Sequence, residues 1–379
     1  MIRFILRTLC VCLVLQLAVP SLWAWQKKKK EKKEEVTQTL EVPPDPPPAV
    51  KAEVSRMVFH TSPLTNKGLL SQQVRDAVKA LWRSNQGAQI VKIRAFVAGT
   101  GDLRRVQSIV SEMFSEKRLN LPVLSVVQVG QLPMEAAQVV LEATSIAKKP
   151  VNPHGLTFIS GKGATAPLDP SHSKMLVQPL AEKSVADLKT ALSGAAVASS
   201  DVLRVTCLQS SLDDYSQVHL LVAREFPKAA LTFAQTQRAP ESHVVECEAV
   251  ARLKSPVAGK WKVLNPPGLR ASTQFSQLAL AGPGPVVLTG SQMAFRTQDS
   301  DVRLAFDRMN SSLQQNGTSL KNVFWSAIYP LTRAVTDKVR SIRFEYYDKE
   351  NPPASTLLLF EGLPSVDASF ALEVIAGVP

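Results

Sequence analysis

The chain has 379 residues, 45% of them hydrophobic and 20% charged, and a formal net charge of +12. Those proportions are ordinary for a globular protein and exclude a fibre or a wholly disordered chain, and the length suits two or three domains. The positive excess is spread along the sequence: two arginines near the start and a net of one from the segment after them leave about +9 on the body, which reads as a solvated basic surface.

Residues 1–24 have the layout of a secretory signal peptide. Arg3 and Arg7 form a positive start, Leu9 to Leu17 a short apolar run, and Leu22-Trp23-Ala24 a small-residue cleavage position. An uncleaved anchor is the alternative, fed by the lysines after Ala24. Residues 25–52 read as a tether. Six lysines between Lys27 and Lys33 mix with Glu31, Glu34 and Glu35, and then Pro43-Pro44-Asp45-Pro46-Pro47-Pro48 favours extended polyproline II. No later apolar run is long enough to cross a bilayer, so the expectation is an exported protein, periplasmic or secreted, with no stable membrane insertion.

The rest repeats one order of elements three times: strand, helix, strand, helix, two closing strands. In the first copy, residues 53–150, Met57-Val58-Phe59 opens. Val74, Ala77, Val78 and Leu81 recur at helical spacing, and Ile90 to Val97 alternates as a strand. Val106, Ile109, Val110 and Met113 mark a second helix, and Val123 to Val129 and Gln138 to Ala143 close. In the second copy, residues 151–258, Leu156 to Gly161 opens and Val185, Leu188 and Leu192 mark a helix ending near Gly194. Val202 to Leu208 is a strand, Leu212 to Val222 a helix, and Ala230 to Gln237 and His243 to Leu253 close. The third copy, residues 259–379, opens as a hairpin. Phe275 to Ala281 turns at Gly282-Pro283-Gly284-Pro285 into Val286 to Gly290. Val302 to Leu313 is a helix stopped by Asn316-Gly317, Val323 to Tyr329 a strand, Val335 to Tyr346 a helix, and Ser355 to Phe360 and Ser369 to Ala376 close. The strand Val323 to Tyr329 is apolar on nearly both faces, and helices cover only one. A second layer must cover the other, and the remaining copies can supply it.

Of the four cysteines, Cys10 and Cys12 lie in the signal region. Cys207 and Cys247 lie in expected strands; in an oxidising compartment they pair if those strands are neighbours, and otherwise they are buried thiols.

Short motifs in a fixed order resemble one family. Val245-Glu246-Cys247-Glu248-Ala249-Val250-Ala251 is similar to the V-E-I-E-A-I-A strand of the RidA/YjgF family, also called the L-PSP endoribonuclease family. Ser160-Gly161-Lys162 resembles its S-G-Q strand end, Asp201 to Leu208 its D-V-V-K-V-T-V-F segment, and Leu212-Asp213-Asp214-Tyr215 its D-D-F helix start. Gln131-Leu132-Pro133 and Gly362-Leu363-Pro364 echo its turn before the last strand. The resemblance covers roughly residues 53–379 and is strongest in the second copy. It implies an α+β fold of three tandem RidA-like (chorismate mutase-like) units, closed as a single-chain pseudo-trimer with a central β-barrel, helices outside and ligand clefts between units. A monomer is then expected.

The family's deaminases hydrolyse enamines and imines. An arginine in a P-A-R-S motif clamps the substrate carboxylate, and the first glutamate of the V-E-I-E-A-I-A strand handles a proton. Here the arginine position reads Leu124, Leu231 and Ser355 in the three copies, and the glutamate survives only as Glu246, replaced by Val140 and Ala371 elsewhere. The second glutamate is matched by Glu142, Glu248 and Glu373, for which structural roles are expected. The candidate catalytic residue is therefore Glu246, with Ser160, Gly161, Leu231 and Arg238 as candidate ligand contacts. Arg94, Arg204 and Arg238 are basic residues on or beside strands that could stand in for the clamp. The five histidines lack metal-ligand spacing, and neither Gly161-Lys162-Gly163 nor Gly99-Thr100-Gly101-Asp102 has the length of a phosphate loop. The expectation is a protein that binds a small molecule in inter-repeat clefts, with reduced or no imine deaminase activity, no metal, no cofactor and no nucleic-acid partner. The alternative is an active deaminase using Glu246 with a different clamp; a nuclease is the remaining class.

Overall fold

The computed structural model describes residues 42–99, 101–168, 171 and 176–379. The expected signal peptide, the lysine-rich part of the tether, Cys10, Cys12, Thr100 and His172 lie outside these residues.

After β1 (Ala49–Glu53) the chain runs through β2 (Met57–Thr61), α1 (Leu70–Ser84), β3 (Gln89–Ala98), α2 (Arg104–Glu116), β4 (Val123–Val129) and β5 (Val139–Ile146). Then come β6 (Leu156–Ala166), α3 (Gln178–Gly194), β7 (Val202–Gln209), α4 (Tyr215–Glu225), β8 (Ala230–Gln235) and β9 (His243–Arg252). Two short strands follow, β10 (Trp261–Leu264) and β11 (Leu278–Ala281). The last stretch holds β12 (Pro285–Thr289), β13 (Gln292–Phe295), α5 (Asp299–Gln314), β14 (Val323–Pro330), α6 (Arg333–Ile342), β15 (Ala354–Leu357) and β16 (Ala368–Gly377).

These strands make three separate sheets, ordered β2-β5-β3-β4, β10-β11-β6-β9-β7-β8, and β1-β12-β16-β14-β15 with β13 also on β16. Among the described residues there is no closed barrel, a correction to the expectation. Each sheet has the same centre, in which an antiparallel opening–last–middle trio ends in a parallel pair, β3 with β4, β7 with β8, and β14 with β15. The ladder between middle and last strand also slips by one residue at the same place in each, passing Val91, Leu203 and Phe324. A bulge of this kind adds local twist.

One face of each sheet packs on its own two helices. Ile93, Val74 and Val110 meet in the first cluster, Val205, Leu188 and Val218 in the second, and Ile328, Phe306 and Val339 in the third. The other faces meet one another: Phe96, Phe158, Phe324, Leu208, Tyr329 and Phe360 belong to one common cluster. Phe158 and Phe324 lie 5.5 Å apart between ring centroids, and Tyr329 sits edge-on to Phe360 at 5.1 Å.

Two segments leave their expected places. The hairpin expected at residues 275–290 does not form, because β11 pairs with β6 of the second sheet and β12 with β16 of the third. Both strands are almost wholly buried, so each needs a neighbour on both sides, and two different sheets supply them. The corner between them is held from outside, by the Val54 and Ser55 amides donating to the Gly284 and Pro283 carbonyls. Residues 259–281, assigned from sequence to the third copy, thus extend the second sheet through β10 and β11. Residues 49–52, assigned to the tether, form β1 together with Glu53 on the edge of β12. In both cases the added strand caps an edge whose backbone groups would otherwise lack partners.

Candidate functional site

Where the three sheets meet, the apolar cluster is interrupted by a group of ionised side chains. The register that pairs Arg94 with Glu142, Thr206 with Glu248 and Ala327 with Glu373 brings the three second-position glutamates to equivalent places. Arg94 Nε donates to Glu142 Oε2 (2.8 Å), and its Nη2 donates to Glu248 Oε1 (2.6 Å) and Thr206 Oγ1 (3.0 Å). Lys92 Nζ donates to Glu373 Oε2 (2.8 Å) and the Thr289 carbonyl (2.5 Å). Arg204 lies 3.5 Å from Glu248 and 3.9 Å from Glu142. The hydroxyls of Thr206, Tyr329 and Thr356 donate to the remaining carboxylate oxygens, and that of Ser125 shares Glu373 Oε2 with Lys92. All six charged side chains are buried. Burial alone would raise the Glu142 and Glu373 carboxyls, but the cations hold both below the ordinary carboxylate value. Arg94 and Arg204, candidates for a substitute clamp, are consumed here. Three cations against three anions, with hydrogen bonds to spare, is a joint between sheets.

Glu246 is two residues before Glu248 on β9 and shares its face. It stands opposite Gly163, and its carboxylate fills the space above Gly161 and Gly163, where a β-carbon would overlap it. The two glycines are therefore required by the site rather than by a turn. Glu246 accepts a hydrogen bond from the Leu357 backbone amide on β15 of the third sheet. Burial, reinforced by the Glu248 carboxylate, pushes the Glu246 carboxyl up to about 8, with Lys162, that amide and Arg340 acting the other way. The group is thus protonated near neutrality and able to give or take a proton there.

A cleft of about 210 Å³ opens beside it, between the second and third sheets. Thr165 and Val244, the next cross-strand pair on the face of Gly163 and Glu246, line one wall with Gln237. Leu357 and the polar stripe Arg333, Thr336 and Arg340 of α6 line the other. Those three α6 positions are spaced i, i+3, i+7 and so point one way. Arg333 and Arg340 are exposed guanidiniums, Arg340 lies 3.7 Å from Asp337, and Glu241 also lines the cleft. At the other end of the same glycine pair a larger cleft, about 510 Å³, is lined by Gly161, Lys162, Gly163, Asp187 and Arg270. Lys162 is buried there and donates to Ser160 Oγ (2.8 Å) and to the Gln277 carbonyl (2.9 Å) and side-chain oxygen. Burial pulls its ammonium down to about 7.

The other candidate residues scatter. Gly161 is beneath Glu246, and its amide donates to Thr356 Oγ1 of the third sheet (3.2 Å). Ser160 is buried and donates to the Gln277 carbonyl (2.9 Å), away from the carboxyl. Leu231 pairs with Val205, whose side chain belongs to the helix-side cluster, whereas Glu246 pairs with Leu208 on the opposite face. Leu231 is therefore not beside Glu246. The corresponding position on β15, Ser355, is buried and its hydroxyl lies 3.1 Å from that of Ser326. Arg238 is outside the cleft, its amide 2.8 Å from Glu361 Oε2 and its guanidinium 3.6 Å from Glu361 Oε1. Arg333 and Arg340 were missed; their seven-residue spacing beside the apolar stripe of α6 was the available signal. Cys207 and Cys247, opposite each other on β7 and β9 with 4.1 Å between Cα atoms, form a disulfide, which closes the question left open between thiols and bridge.

No protein-family model matches the chain, and no curated protein matches it. Solved structures do match, each over about a quarter to a third of this chain. One is a Rid-family protein of unknown function from Yersinia pestis, with 15% identity, a TM-score of 0.29, and coverage of 31% of this chain and 98% of that one. A YjgF-family member from Mycobacterium tuberculosis has 17% identity, a TM-score of 0.23, and coverage of 31% and 99%. A YjgF-family protein from Neisseria meningitidis has 9% identity, a TM-score of 0.24, and coverage of 31% and 95%. Over that third, this chain is similar to structures of the Rid and YjgF family.

Proposed function

We propose that this is a RidA-type protein of three diverged units arranged as a single-chain pseudo-trimer, and that it binds a small anionic molecule in the cleft between its second and third units. The observation that carries the reading is Glu246. Its carboxyl is held protonated near neutral pH beside a cleft whose far wall presents Arg333 and Arg340. A guanidinium pair suits a carboxylate ligand, and a neutral carboxyl can donate a proton to it. The repeated strand order and bulge support the three-unit reading. So does the cyclic pattern of contacts: Thr61 with Thr232, Gly161 with Thr356, and Ser291 with Leu124 join first to second, second to third, and third to first.

Imine hydrolysis in this cleft is slow, because none of the three positions that match the family's arginine, Leu124, Leu231 and Ser355, carries one. Assay of the mature protein on 2-aminoacrylate-derived imines should give little turnover, and Glu246→Gln should abolish what there is. Arg333→Gln/Arg340→Gln should weaken binding of small carboxylates about tenfold or more. Leu231→Arg should leave both unchanged. Turnover at the level of arginine-bearing relatives, lost in Arg340→Gln, would instead make the protein an enzyme with a helix-borne clamp. Carboxylate binding indifferent to both arginines would end the proposal.

We further propose that the protein works outside the cytoplasm as a monomer. The signal-like residues 1–24 and a disulfide suited to an oxidising compartment support export. N-terminal sequencing of the exported chain should start near residue 25, and light scattering should give the mass of one chain; a mass near three chains would contradict it.

A further inference from the structure

The first unit carries a feature that the inter-unit clefts do not use. At the C-terminal ends of α1 and α2, beside the start of β3, is a cleft of about 700 Å³. Its floor is apolar and aromatic, with Trp82 and Phe114 at 5.3 Å between ring centroids, flanked by Ile90 and Leu119. Its rim is cationic. Lys117 sits over the Trp82 ring at 5.0 Å from the centroid, and Arg118 follows it in the left-handed backbone region at φ 54°. The Lys148 ammonium lies 4.0 Å from where a β-carbon on Gly87 would stand. None of the residues lining the cleft is acidic, and among the described residues no carboxylate pairs with Lys117, Arg118 or Lys148. The indole N–H of Trp82 is turned in from solvent and has no acceptor.

Some surface cations in this protein hold carboxylates. Arg75 pairs with Glu112 at 2.7 Å on these same two helices, and Arg303 with Glu345 at 2.8 Å on the third unit. Three unpaired cations around one aromatic floor are a different arrangement: the charge awaits an anion, and the floor awaits an apolar plane. In the second unit the corresponding helix end is closed by the chain itself, since Pro266 packs directly on Gly194 at the end of α3. We propose that the first unit binds a flat aromatic carboxylate in this cleft, with the ring beside Trp82 and against Leu119 and the carboxylate between Lys117 and Arg118, as a ligand site separate from the one at Glu246.

The probe is 2-naphthoate, titrated into the full chain by calorimetry, with 2-naphthamide as the uncharged match. Saturable binding of naphthoate is expected, at least tenfold tighter than the amide and weakened by salt. Lys117→Gln/Arg118→Gln, two exposed positions that leave the core intact, should lower the affinity about tenfold or more. Arg333→Gln/Arg340→Gln should leave it unchanged. No saturable binding, equal binding of the amide, or loss in the α6 variant in place of the Lys117 and Arg118 variant would each overturn the proposal. Because that α6 variant also tests the site at Glu246, failure of either site is read independently of the other.

Discussion

Glu246 and Glu248 stand two residues apart on one face of β9 and end in opposite circumstances. Glu248 is reached by Arg94 at 2.6 Å, by Arg204 at 3.5 Å and by the Thr356 hydroxyl. Glu246 has a backbone amide, two glycines and an apolar strand around it, and its carboxyl rises to about 8. Glu248 is buried and Glu246 half-buried beside the cleft, so the more sheltered carboxyl is not the one that rises. The difference is whether a cation makes contact: in the central joint Arg94 and Arg204 compensate the charge, whereas Lys162 and Arg340 act on Glu246 only from a distance and do not offset its burial, which leaves a group free to exchange a proton.

The largest test of that contrast is to strip the joint. Arg94→Met would leave Glu142, Glu248 and Glu373 facing only Lys92 and Arg204, and a buried carboxylate left without its partner costs about 3–5 kcal/mol. Denaturant unfolding should show a loss of that size or an unfolded chain; a change below about 1 kcal/mol would mean the cluster is already neutralised by protonation. Next in size is the disulfide. Cys247 is placed between the two glutamates with its side chain on the helix face, and its bond to Cys207, 40 residues away, fixes the register that carries both. Cys207→Ala/Cys247→Ala should cost about 2–4 kcal/mol, and the same loss should follow reduction of the wild type.

The smallest effect has the most diagnostic sign. The Glu246 carboxyl titrates above its unfolded value of 4.5, so its contribution to stability is complete in acid and is lost as the pH rises from there through about 8. The Glu373 carboxyl titrates below 4.5, so its contribution is present above that pH and is lost on acidification. Glu246→Gln should therefore raise stability above pH 8 by about 1–3 kcal/mol and flatten the slope between the two values. Glu373→Gln should lower stability at neutral pH and flatten the acid limb. Thermal melts of both variants across pH decide it; slopes of the same sign would remove the distinction between the two sites.

Much of this was legible in the sequence, for local reasons. The helices follow from apolar spacing, as in Val74-Ala77-Val78-Leu81, and from stop signals such as Gly317, which adopts φ 80°. The equivalence of Glu142, Glu248 and Glu373 follows from counting along strands of period two, and the ladders reproduce it. Tertiary structure decided what the same pattern leaves open. Alternation says that both faces of β11 and β12 are buried, but not that two sheets share them, and it says nothing of β1 closing an edge more than two hundred residues away. The site divides in the same way. Glu246 was found from its own strand, whereas its neighbours Leu357, Arg333 and Arg340 come from β15 and α6, and Leu231 was misplaced because the motif was read along its own sheet. The physical reason is that side-chain direction is set by local backbone geometry, while the environment of a carboxyl, and so its charge, is set by whichever distant surface packs against it.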